Sequence, residues 1–134
     1  MSASPNRLLG TVFGVVYLLV GLIGFLYTGV SNFAGTDTGD KILGIFEVNP
    51  LHNIVHLAIG ALLLAASRAV STAKGANTAV GAVYLLVGVL GLFILDSAAN
   101  ILSLNSADNV LHFASAAVLL GVGLTADKRT RAAV

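Results

Sequence analysis

The chain has 134 residues and a net charge of +1; 57% of it is hydrophobic and 10% charged, where a soluble domain carries about 45–50% apolar and about 25% charged residues. That composition belongs in a membrane, and a charge this close to neutral offers no basic field for nucleic acid. The absence of cysteine removes disulfides, thiolate ligands, thiol nucleophiles and cysteine-attached haem together.

Residues 1–7 read as a short polar tail with Pro5 and one cation, Arg7. From Leu8 to Tyr27 there is no ionisable group except the phenols of Tyr17 and Tyr27, enough helix to cross a hydrocarbon core of about 30 Å at about 1.5 Å per residue. The length of this run and the lack of a small-residue cleavage motif argue against a cleaved signal peptide. Residues 28–48 form a loop with Asp37, Asp40, Lys41 and Glu47, whose apolar part, Ile42 to Phe46, suits the membrane interface. Glu47 and Asp96 are expected to face water there. Asn49-Pro50 opens the second helix, because asparagine is a favoured N-cap and proline a favoured first helical residue. The expected spans are 8–27, 50–67, 76–95 and 107–126, with a polar turn around Arg68 and Lys74 and a cap for the last helix at Asn105-Ser106. A basic tail, Asp127 to Arg131, follows.

Charge orients the spans. If both ends and the turn between the second and third helices share a side, that side holds Arg7, Arg68, Lys74, Lys128, Arg129 and Arg131, six of the seven cations. The positive-inside rule then predicts both termini in the cytoplasm.

The chain repeats itself. Thr11 to Gly24 (TVFGVVYLLVGLIG) and Thr78 to Gly91 (TAVGAVYLLVGVLG) are identical at nine of fourteen positions at an offset of 67. The second and fourth helices align at an offset of 56, which matches Asn49 to Asn105, Asn53 to Asn109 and His56 to His112. Each unit holds two spans, so both enter the membrane in the same direction. The expected fold is an all-α integral membrane domain of four transmembrane helices, a 2+2 parallel repeat about a pseudo-twofold axis along the membrane normal. Gly10, Gly14, Tyr17, Gly21 and Gly24 fall on one helical stripe, and Gly81, Tyr84, Gly88 and Gly91 repeat it. Since lipid supplies no hydrophobic drive for helix association, smooth stripes of this kind let backbones pack closely.

His52 and His56 lie four apart on one helix face, and Asp108 and His112 repeat that spacing. If the two helices face each other, His52, His56, Asp108 and His112 form a candidate metal set suited to zinc, copper or iron. The matched pair His56 and His112 alone is a candidate for axial haem ligation, with Asn53 and Asn109 as hydrogen-bonding supports. Plainer roles compete with these. At the third helical position His52 and Asp108 can serve the helix cap and complement its dipole, and His56 and His112 can bond a neighbouring helix. Capping does not reach the latter pair, about 9 Å down the axis.

No G-x-S-x-G motif is present, and the middle turns of the spans carry no charge of the kind a transporter uses. Tyr17 and Tyr84 are read as hydroxyl ties between helices. The leading functional reading is a non-enzymatic membrane component that packs with itself or with other membrane proteins. The alternative is a haem or transition-metal binder.

The run Phe46-Glu47-Val48-Asn49-Pro50-Leu51-His52-Asn53-Ile54-Val55-His56-Leu57, with the four-span plan, resembles a family of small bacterial membrane proteins of actinobacterial type that is described as a domain of unknown function. The resemblance runs from about Arg7 to Ala126. It implies a multi-pass protein of the bacterial plasma membrane and brings no activity, substrate or cofactor.

Overall fold

Four helices and one small hairpin make up the computed structural model, which describes residues 4–128. Arg129 and Arg131 of the basic tail, and residues 1–3 of the polar one, lie outside the described residues. The helices are α1 (Pro5–Thr28), α2 (Pro50–Ala66), α3 (Val70–Ile94) and α4 (Ser106–Thr125), and β1 (Lys41–Ile42) pairs antiparallel with β2 (Phe46–Glu47). Three of the helices, α1, α3 and α4, are long and apolar enough to cross a membrane, while α2 is apolar but only 17 residues long.

Side-chain caps set three of the helix starts. Ser4 Oγ accepts the Arg7 N–H before Pro5, and Asn49 Oδ1 accepts the His52 N–H at 2.8 Å before Pro50. Asn105 and Asp108 form a reciprocal capping box. Each of these asparagines does a second job that aspartate could not. Asn49 Nδ2 donates to Gly35 O and Ile101 O, and Asn105 Nδ2 donates to Ile45 O, so each cap also ties down loops distant in the chain. The third helix starts six residues earlier than its expected span, because only a turn over residues 67–69 separates it from α2. Lys74 is therefore helical, and its ammonium donates to Gly123 O and Ala126 O at the end of α4.

The main packing joins α1 to α2 and α3 to α4. Glycine decides how close the first pair comes. A Cβ on Gly14 would sit 2.8 Å from Leu64 N, and one on Gly60 would sit 2.7 Å from Leu18 N. Between the two pairs the core is formed by Tyr17, Leu63, Val80, Tyr84, Ala116 and Leu119. The faces turned outward carry large apolar residues such as Leu22, Leu26, Leu86 and Phe93, whereas histidine, asparagine and tyrosine are buried inside. This polar-in, apolar-out arrangement suits a bundle whose solvent is hydrocarbon.

The hairpin closes the end of the bundle where α2 and α4 begin. Its β1 packs on α1 and its β2 on α4. Glu47, expected to face water, is instead buried and accepts a hydrogen bond from Ser103 Oγ at 2.5 Å. The second loop folds under the first, which shields the carboxylate. At the opposite end Ser4, Asn6 and Asp127 form a polar knot, and Asn77 Nδ2 donates to Asn6 O and Asn6 Oδ1.

Candidate metal centre

The Asn49 cap fixes the rotation of α2 and points His52 and His56, one turn apart, at the bundle interior. Their ring centroids are 4.4 Å apart. His112 enters from α4 and brings its ring within 6.0 Å of His52. The backbones do not meet here, since no Cα of α2 comes within 8 Å of one in α4. The imidazoles bridge that gap, and one ring nitrogen from each of the three lies within 4.8 Å of the other two.

All three histidines are buried, at 2%, 4% and 3% exposure, and the Nδ1 atom of each has no hydrogen-bond partner among the described residues. An unpaired buried polar group costs about 1–3 kcal/mol. Three buried imidazoles, each with an unpaired nitrogen, thus bring three potential metal donors together.

Two tyrosines wall the cluster. Tyr17 stacks on His56 with centroids 5.5 Å apart, and Tyr84 stacks on His112 at 5.2 Å. Tyr17 Oη and Ser115 Oγ share a hydrogen bond of 2.6 Å that ties α1 to α4, as expected of that hydroxyl. The Tyr84 hydroxyl is buried without a hydrogen-bond partner among the described residues and makes no such tie.

Asp108, the fourth member of the expected set, is engaged elsewhere. Its Oδ2 accepts the Asn105 N–H at 3.0 Å, and it does not join the three converging nitrogens. Capping thus accounts for Asp108. It does not account for His52, whose backbone serves the cap while its side chain joins the cluster. Asn53 and Asn109 turn away from the histidines. Asn53 Nδ2 donates to Thr28 Oγ1 at 3.0 Å and Asn109 Nδ2 to Gly91 O at 3.1 Å. A Cβ on Gly24 would collide with Asn53 and one on Gly91 with Asn109, so these glycines make room for the amides.

The family model described as "Domain of unknown function (DUF4383)" matches residues 7–125. The chain belongs to this family. Neither the curated proteins nor the solved structures contain a match to it. Family membership brings no named activity, so the chemistry of the DUF4383 site rests on its own geometry. Sequence reasoning had both tyrosines at matched positions of the repeat but assigned them no place beside the histidines. Ser115 carried no signal at all.

Proposed function

We propose that this DUF4383 protein is a multi-pass membrane protein that binds one transition-metal ion, of the zinc class, through His52, His56 and His112. The convergence of three buried imidazoles with unpaired nitrogens carries the reading. Zinc–nitrogen bonds of about 2.0–2.1 Å in tetrahedral geometry place ligand nitrogens about 3.3 Å apart. Three protein ligands leave one position open, the arrangement of a site that binds a further molecule rather than a closed structural site.

The bare ion is favoured over haem. His56, Tyr17, Tyr84 and His112 stack in sequence with centroid spacings of 5.2–5.5 Å, and a porphyrin would have to part them. Asp108 Oδ2 is held in the capping box, and the carboxylate lies outside the three converging nitrogens.

In this reading the protein is built from two related helical hairpins with both termini in the cytoplasm of a bacterial cell, and α2 completes the fourth span. The paired contacts support the repeat: Tyr17 on His56 and Tyr84 on His112 are related by the same offsets of 67 and 56 as the sequence copies. The expected bilayer setting and self-association or packing with other membrane proteins belong to the same proposal.

The test is the metal content of the protein purified in detergent and loaded with zinc. About one zinc per chain is expected in the wild type, and less than about a tenth of that in the His52→Ala, His56→Ala and His112→Ala variants. Zinc at 100 times its dissociation constant stabilises a fold by about 2.7 kcal/mol, so chelation lowers the wild-type melting temperature and leaves the variants unmoved. Equal, substoichiometric metal in wild type and variants, with no response to chelator, would overturn the assignment.

A further inference from the structure

By the offsets of 67 and 56 the first loop carries eleven residues that its counterpart lacks, and it shapes the membrane-facing side of the bundle. It holds the β1–β2 hairpin, which packs between α1 and α4 and roofs a groove of about 440 Å³. Val12 and Val16 of α1, Leu111 and Val118 of α4 and Ile42 of the hairpin form its apolar walls. Val16 and Val118 at its rim are 47% and 44% exposed, and on a membrane-spanning surface that exposure is to lipid chains. The groove therefore opens sideways into the bilayer. Its volume lies in the range of small-molecule sites, about 300–1,000 Å³.

The floor is different. His56, 96% buried and with Nδ1 unpaired, lines the groove and belongs to the three-histidine cluster. Asp108 and the bonded pair Tyr17 and Ser115 supply the other polar groups there. Electrostatics restricts what can reach this floor. A charged head group would lose its hydration in a pocket whose lining is almost wholly apolar, whereas an uncharged oxygen gives up much less.

We propose that the groove binds a membrane-borne neutral amphiphile of the long-chain alcohol class, with its hydrocarbon tail between α1 and α4. Its uncharged oxygen takes the open coordination position beside His56. The proposal rests on the metal reading for its head-group contact, and on the groove alone for its tail.

The probe is 1-hexadecanol carrying a diazirine on its chain, photolysed with the zinc-loaded protein in detergent micelles, with labelled residues mapped by mass spectrometry. Labelling of Val16 and Leu111 is expected, competed at least fivefold by unlabelled 1-hexadecanol and not by hexadecanoate. Ala114→Trp and Val118→Trp, which fill the groove without touching a histidine, are expected to cut labelling at least fivefold while zinc content stays near one per chain. That retained zinc also shows that the variants are folded. Removing zinc is expected to cut labelling by a similar factor. Near-stoichiometric zinc without competed labelling in the groove overturns this proposal and leaves the metal centre standing. Groove labelling indifferent to zinc overturns the coordinated head group. A wild-type protein that holds no zinc overturns the metal reading and the head-group contact together.

Discussion

Tyr17 and Tyr84 stack on one another across the centre of the bundle, ring centroids 5.4 Å apart and planes 24° apart, although 67 residues separate them. Each also stacks on a histidine, so the four rings form one aromatic unit from α2 to α4. The two hydroxyls are not equivalent. Tyr17 bonds Ser115, whereas Tyr84 is buried without a hydrogen-bond partner among the described residues.

The two conservative substitutions therefore differ in sign. Tyr17→Phe removes an interhelical hydrogen bond, worth about 0.6 and up to about 1.7 kcal/mol inside a membrane protein, and is expected to destabilise by that amount. Tyr84→Phe deletes an unsatisfied hydroxyl and keeps the stack, so it is expected to be neutral or stabilising. Denaturation by sodium dodecyl sulfate from mixed micelles, followed by circular dichroism, measures both. Equal losses would show that the Tyr84 hydroxyl has a partner in the working protein.

Glycine substitutions are expected to separate by position rather than by residue type. Gly14→Val places its Cβ against the backbone of α2, with Leu64 N at 2.8 Å and Gly60 O at 2.9 Å. Neither is the end of a flexible side chain that could move aside. Overpacking of this kind costs about 1–3 kcal/mol. Gly75 in α3 is exposed and has open space where a Cβ would go. Gly75→Ala is expected to stabilise by about 0.5–1 kcal/mol, because alanine loses less backbone entropy in a helix. The same denaturant titration reads both, and a Gly14→Val protein as stable as wild type would contradict the close α1–α2 contact.

Acid is expected to weaken the end of the bundle that carries Ser4 and Asp127. Ser4 Oγ, the Asn6 N–H and the Asn6 amide all donate to Asp127 Oδ2, and together with nearby Lys74 they hold its carboxyl below the usual value of 3.8. As pH falls, the unfolded chain takes up this proton before the folded one. The contribution of Asp127 is therefore complete above the usual value and is lost as pH drops through the lower, folded one. The gap in melting temperature between wild type and Asp127→Ala should stay constant from about pH 7 to about pH 5 and narrow below about pH 4. A gap still undiminished at about pH 3 would break the link between this carboxylate and stability.

Much of this protein could be read along the chain. The three helices long and apolar enough to cross a membrane follow from composition, because a chain with so few charges has little with which to cover itself with a wetted surface. Helix starts at Asn49-Pro50 and Asn105-Ser106 follow from capping, which is local chemistry over three or four residues. The similarity of the segments Thr11–Gly24 and Thr78–Gly91, and of the two histidine runs, set Tyr17 beside Tyr84 and His56 beside His112 without any knowledge of the fold.

What depended on distance in space could not be read that way. Capping and ligation compete for His52 and Asp108 at the same helical position, and only the placement of α2 and α4 across the bundle sent the His52 ring into the cluster while leaving Asp108 in its box. The amides of Asn53 and Asn109 went to the glycine faces of α1 and α3, because Gly24 and Gly91 leave room there. Glu47 looked like a water-facing loop acid until the second loop folded beneath it and put Ser103 against its carboxylate. Helix periodicity determines which side chains share a face; the angle and separation of the helices determine which faces meet, and those are properties of the whole bundle.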